Sequence, residues 1–136
     1  MSASPFVELH GHLKPYVTFV DLQTLFKESD IVSVNLPLTN ETEGMVTKEL
    51  IDSMKPDGIF ILVCRAELVD NKALFDRAKR DPNFRVGLDL DADKVYGMWD
   101  DSMNNVVVTP HIAGSTVEAR QKLFLEVVEN VLAILK

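Results

Sequence analysis

Asn104 to Ser115 reads NNVVVTPHIAGS, and this stretch sets the reading of the whole chain. Val106, Val107 and Val108 are β-branched and favour a strand. Thr109-Pro110 ends the run, because proline supplies no backbone donor to a sheet. His111 follows at once, Ala113-Gly114 makes a turn, and Ser115 opens a long amphipathic segment. A side chain that titrates near neutral pH therefore sits where a buried strand stops. In parallel α/β sheets, ligands bind at that end of the strands. The plainer alternative is a histidine that only satisfies its own hydrogen bonds there. His111 is the first candidate for chemistry.

Working outward, Ser115-Thr116-Val117-Glu118 has the capping-box pattern that starts a helix. Behind it Ala119, Leu123, Val127, Val131 and Leu135 recur at helical spacing, with Phe124, Val128 and Leu132 beside them. That stripe predicts a long helix with a core-facing side. Upstream, Phe84 to Leu90 reads as a short strand followed by an acidic loop, Asp91 to Asp93, and then by a loop holding Met98 and Trp99. Ile59 to Cys64 is continuously apolar, which predicts a strand covered on both faces, and it runs into Arg65. Ile31 to Leu36 is another short strand, ended by Pro37. Asp21, Thr47 and Asp70 are placed to cap helices, the first with Leu22, Leu25 and Phe26 on one face, the second burying Leu50, Ile51 and Met54, the third carrying Leu74, Phe75 and Ala78 inward. Tyr16 to Val20 reads as a further strand, and Phe6 to Leu13 has no clear period.

Strand and helix alternate throughout. The expected fold is α/β, a partial Rossmann-like three-layer arrangement with a mostly parallel sheet of about four to five strands. Residues 1–136 read as one domain, with an arm over 1–20 and the folded region over 21–136. Polar side chains then gather at the strand ends: Asn35, Arg65, Asp89 and His111.

The chain has 136 residues and a net charge of -7. A sequence pI near 4.9 argues against nucleic acid and anionic membrane as partners, since both need a basic face. The apolar run at 59–64 is far too short to span a bilayer. Met1 to Pro5 lacks the charged-then-apolar pattern of a secretion signal. Cys64 is the one cysteine, so no intramolecular disulfide forms and no metal cluster is expected. This suits a reducing, cytoplasmic setting.

Five segments occur in a familiar order: SDIVSVNLPLTNETEGMV, ELIDSMKPDGIFILVCR, LVDNKALFDRA, VGLDL and NVVVTPHIAGST. From about Val20 to Leu135 the chain resembles the second half of the nucleotide-binding domain of NAD-dependent D-2-hydroxyacid dehydrogenases. That family includes phosphoglycerate dehydrogenase and hydroxypyruvate reductase. The resemblance implies a role for each matching residue. Arg65 falls on the arginine that holds the substrate carboxylate and keto oxygen; a guanidinium suits this as a two-pronged, permanent charge. His111 falls on the general acid/base of hydride transfer. Asp89 falls on the acceptor for the nicotinamide carboxamide. Asn35, Leu36 and Pro37 match the loop beneath the adenosine ribose. Cys64, Ala113 and Gly114 match backbone contacts near the nicotinamide.

Three features depart from the family pattern. Its histidine pairs with a glutamate a few residues past the Asp89 position, where this chain has Lys94. Asp93, or Asp91, is the expected substitute. The arginine is usually followed by glycines, whereas here Ala66-Glu67 follow Arg65. No G-x-G-x-x-G is present to seat a pyrophosphate; His10-Gly11-His12 is the nearest vestige. The family's separate substrate-binding domain has no counterpart in this sequence. The resemblance implies an NAD-binding oxidoreductase acting on the CH–OH group of a small 2-hydroxy or 2-keto acid. The departures imply weak or absent NAD binding and no turnover by this chain alone. The alternative is a non-catalytic remnant serving as an interaction or regulatory module. Strand Ile31 to Leu36 would otherwise present a bare apolar edge, so either the segment Phe6 to Leu13 folds back and pairs with it or, the favoured expectation, two chains join edge to edge or exchange their arms in a homodimer.

Overall fold

The computed structural model describes residues 16–100 and 102–134. The segment Phe6 to Leu13 lies outside the described residues. In chain order the elements are α1 (Leu22–Glu28), β1 (Ile31–Val34), α2 (Lys48–Ser53), β2 (Ile59–Leu62), α3 (Asn71–Arg80), β3 (Arg85–Asp89), β4 (Val106–Thr109) and α4 (Val117–Ile134). Short 3-10 turns occupy Ala66–Leu68, Ala92–Lys94 and Ala113–Ser115.

The strands form a four-stranded parallel sheet in the order β1-β2-β3-β4. Val34 pairs with Leu62, Leu62 with Leu88, and Leu88 with Val108. This register makes Asn35, Arg65, Asp89 and His111 leave the sheet at one edge. The α/β, Rossmann-like expectation holds.

The core lies between that sheet and α1, α2 and α3. Phe26, Leu50, Ile51, Leu74 and Phe75 pack on Val32, Phe60, Leu62, Val86 and Leu88. Each such side chain stabilises the fold by about 1.5–3 kcal/mol when fully buried. Asp21 caps α1 through the Thr24 amide at 2.7 Å, and Asp70 caps α3 through the Ala73 amide at 3.0 Å. Thr47 stands at the start of α2 as expected, but its side chain makes no capping bond. Arg77 is buried on α3 and donates to the Ile51 carbonyl at 2.8 Å and the Met54 carbonyl at 3.0 Å. It also stacks on Phe84 with 4.7 Å from guanidinium carbon to ring centre.

Four features differ from the sequence reading. Ile59 to Cys64 was expected to be covered on both faces. Instead Phe60 and Leu62 are buried while Ile59 and Ile61 are half-buried. Ile31 and Val107 on the same side are exposed. Among the described residues α1, α2 and α3 cover one face of the sheet. The strands are neighbours in sequence order, and right-handed crossovers then return to the same side each time.

Second, Tyr16 to Val20 forms no strand, and Tyr16 and Phe19 are exposed. Its residues favour β structure, but a strand needs a ladder partner, and among the described residues β1 bonds only β2. Third, the stripe on α4 is not core. No residue of α4 is buried, and Phe124 is 69% exposed. The helix leaves from an edge strand and rests chiefly on the Ala113–Ser115 turn. Fourth, the cap of α4 falls one residue later than Ser115: the Thr116 hydroxyl accepts from the Ala119 amide at 3.1 Å. No helix among the described residues is long and apolar enough to cross a membrane.

Candidate functional site

β3 and β4 are neighbours, so the loops that follow them lie side by side. Asp89 is the last residue of β3 and pairs in register with Thr109, the last of β4. Its side chain is buried, at 3% exposure. One oxygen accepts from the Thr109 hydroxyl at 2.6 Å and the Ile112 amide at 2.8 Å. The other accepts from the Ala113 amide at 2.8 Å. Burial pushes this carboxyl up, but the Thr109 hydroxyl and the two amides outweigh it and hold the group below the usual range. Asp89 thus pins the His111 loop from both sides.

His111 itself has φ 53°, a left-handed conformation that side chains other than glycine rarely adopt. The Asp89 bonds to the Ile112 and Ala113 amides hold the loop in this conformation. Its Nδ1 lies 3.0 Å from Asp91 Oδ1. The expected partner Asp93 makes no hydrogen bond or ion pair with His111 among the described residues. The chain turns immediately after Asp91, where the Lys94 amide donates to the Asp91 carbonyl at 3.0 Å.

Val63, Asp89, Asp91, His111 and Gly114 border a cavity of about 450 Å³. This is the size range of small-ligand sites. Asp89, Asp91, His111 and Gly114 are therefore brought together, with Ala113 bonded to Asp89. Arg65 is at the same sheet edge but does not border the cavity. It is exposed, and its guanidinium donates to the Cys64 carbonyl at 2.8 Å. Cys64 is half-buried, its thiol 3.2 Å from the Val34 carbonyl. Asn35, Leu36 and Pro37 follow β1, two strands away from β3. Asn35 and Leu36 border a second cleft of about 290 Å³ with Leu25, Val32 and Met45. The Pro37 carbonyl accepts from the Thr42 hydroxyl at 2.7 Å.

Lys94 does not approach His111 by any hydrogen bond or ion pair among the described residues. It pairs with Glu67 at 3.1 Å. Glu67 is held below the usual carboxylate range by its own backbone amide and by Lys94. The two departures that looked unfavourable in the sequence thus neutralise each other. Thr109 is the participant that sequence reasoning missed. Its link to Asp89 depends on the β3–β4 register, which no local pattern announces.

The family described as D-isomer specific 2-hydroxyacid dehydrogenase, NAD binding domain, matches residues 5–113. The chain is 37% identical over 121 residues to a hydroxypyruvate reductase of Thermotoga maritima, covering 85% of this chain and 39% of that protein. It is 37% identical over 119 residues to a glyoxylate reductase of Thermococcus litoralis, covering 87% and 36%. The structure is similar to an NAD-complexed D-isomer specific 2-hydroxyacid dehydrogenase from Lactobacillus delbrueckii ssp. bulgaricus, with TM-score 0.72 and 29% identity, covering 98% and 43%. It is also similar to D-lactate dehydrogenase with NAD+ from Lactobacillus jensenii, with TM-score 0.70 and 30% identity, covering 90% and 42%. The chain spans less than two fifths of the length of these two reductases.

Proposed function

Because the chain belongs to the D-isomer specific 2-hydroxyacid dehydrogenase family, we propose that it carries the proton-transfer side of an NAD-dependent oxidoreductase for small 2-hydroxy or 2-keto acids. The observation that carries this reading is His111, held left-handed by Asp89 over a ligand-sized cavity at the carboxyl edge of a parallel sheet. His111 gives or takes the hydroxyl proton at C2. Arg65 holds the substrate carboxylate after its guanidinium swings from the Cys64 carbonyl.

The residues present fit one end of NAD. Asp89 and Gly114 border a cavity suited to the nicotinamide, with the Ala113 amide bonded to Asp89, and Asn35, Leu36 and Pro37 lie where the resemblance puts the ribose loop. When bound, the cofactor supplies or accepts the hydride. No glycine-rich turn is present in the sequence for the pyrophosphate, so the chain alone holds the cofactor weakly and does not turn over. The test is a chimera in which residues 20–135 replace the matching segment of the Thermotoga maritima reductase. The reading expects keto-acid-dependent NADH oxidation that His111→Gln and Arg65→Ala each abolish. A folded chimera that is inactive would refute it.

We further propose that the chain pairs with a second copy and works in the cytoplasm. Among the described residues β1 is an edge strand with Ile31 56% exposed, and α4 shows an uncovered apolar side. Such an edge and patch mark interfaces. Sedimentation equilibrium at micromolar concentration tests this; a clean 15.2 kDa species would refute the dimer.

A further inference from the structure

We propose that a cleft at the amino end of β3 and β4 binds a small phosphate monoester, with Lys79 and Arg85 holding its phosphoryl group. Lys79, Arg85 and Asn104 border a cavity of about 330 Å³ there. Arg85 is the first residue of β3 and Asn105 stands just before β4, whereas Asp89 and Thr109 end those strands. The cleft therefore opens at the opposite end of the sheet from His111, about 13 Å along each strand. The chemistry proposed for His111 makes no use of it.

Charge marks this cleft. The chain carries a net charge of -7, and most lysines and arginines among the described residues pair with a carboxylate. Lys79 and Arg85 make no ion pair among the described residues, and both are exposed. Among the described residues the nearby acidic groups are committed elsewhere. Asp81 pairs with Arg77 at 2.8 Å and with Arg80 at 3.3 Å. Asp100 accepts from the Ser102 amide at 2.9 Å and from the Ser102 hydroxyl. The Ser102 hydroxyl and amide, with a smaller contribution from Lys79, hold Asp100 below the usual carboxylate range, so the field of Lys79 reaches this loop. Free carbonyls at the end of α3 would also repel an anion. The Asn105 side chain covers carbonyls there, donating to Ala78 at 2.8 Å and to Phe84 at 2.6 Å. The same bonds tie the end of α3 to the start of β4 and build the cleft.

A phosphoryl group fits this set better than a carboxylate. It carries close to two negative charges near neutral pH and has three acceptor oxygens. Arg85 can grip two of those oxygens with its fork, and Lys79 supplies a point charge. The Asn104 side chain is exposed and makes no hydrogen bond among the described residues, so its amide is a further donor. The cavity exceeds what a phosphoryl group fills, and Ala78, Pro82 and Met103 give a short carbon chain an apolar wall.

The test is amide NMR of the full chain at neutral pH and constant ionic strength, titrated with inorganic phosphate, with glycerol phosphate and with acetate. Phosphate is expected to move the amides of Arg85, Asn104 and Asn105 saturably, and glycerol phosphate to do so at lower concentration. Acetate is expected to leave them in place. Lys79→Gln and Arg85→Gln are each expected to weaken phosphate binding by roughly tenfold, and Lys27→Gln to leave it unchanged. Both site variants alter exposed side chains, so their spectra should otherwise match the parent. The comparison of phosphate with acetate is made on the parent chain and decides even where a variant fails to fold. Shifts that do not saturate, shifts confined to Arg65 and His111, an equal response to acetate, glycerol phosphate binding no tighter than phosphate, or unchanged affinity in Arg85→Gln would each overturn the proposal.

Discussion

Lys94 Nζ stands 3.1 Å from Glu67 Oε1, joining the turn after β3 to the turn after β2. A lysine where the family pattern has a glutamate, and a glutamate where it has glycine, are thus one feature. The Glu67 carboxylate, two residues after Arg65, is thus balanced by Lys94.

Lys94 is exposed and Glu67 half-buried, so solvent and salt screen the pair and its effect on stability is small. Lys94→Met is expected to leave Tm almost unchanged. Lys94→Glu, which sets two carboxylates together, is expected to lower Tm more, and the gap between the variants should close in high salt. Thermal melts at low and high ionic strength check this. Equal melting points at low salt would mean the pair does not form.

Asp89 gives a larger effect. Asp89→Ala leaves the Ile112 and Ala113 amides without their acceptor, at a cost of about 1–3 kcal/mol. Its folded-state carboxyl lies below the usual value. Its contribution is therefore complete above the unfolded carboxylate pKa of about 3.9, and is lost as pH falls through the lower folded value. Denaturant titrations from neutral to acid pH should show a steeper acid loss in the parent than in Asp89→Ala. Parallel profiles would show that Asp89 is not held ionised by the loop.

His111 occupies a left-handed backbone position, φ 53°. A side chain there costs about 1–2 kcal/mol relative to a residue without one. His111→Gly is expected to be more stable than His111→Ala by about 1 kcal/mol after the entropy of glycine is taken off. Chemical denaturation of the two variants measures the difference. Equal stability would mean the backbone relaxes freely and the histidine bears no strain.

Arg77 anchors the core layer rather than the site. It is 4% exposed, reaches the carbonyls that end α2, and pairs with Asp81 at 2.8 Å. Arg77→Met leaves the Ile51 and Met54 carbonyls without their donor and the partly exposed Asp81 without its partner, and is expected to destabilise by about 1–3 kcal/mol. Arg77→Lys should recover little, because an ammonium cannot fork to several carbonyls. Full recovery by lysine would show that charge alone matters.

The sheet was legible because β-branched runs stopped by Pro37, Arg65 and Pro110 are local signals. The common edge of Asn35, Arg65, Asp89 and His111 followed from parallel strands. What lay beyond reading depended on tertiary neighbours. The alternation in Ile59–Leu62 was hidden because both its buried and half-buried positions are apolar. The stripe of α4 has helical spacing whether or not anything covers it. Asp91 and Asp93 differ by two positions in an acidic loop, and only the turn at Ala92–Lys94 decides which meets His111. The partners Thr109 and Asp89, and Lys94 and Glu67, come from adjacent strands and their loops, so no sequence spacing links them.

The central claim is that this chain holds the proton-transfer side of a nicotinamide site without the glycine turn that seats the pyrophosphate. Isothermal titration of the full chain with NADH tests it most directly. The account predicts no saturable binding at micromolar cofactor, because the phosphates meet no helix N-terminus framed by glycines. A micromolar dissociation constant would contradict it.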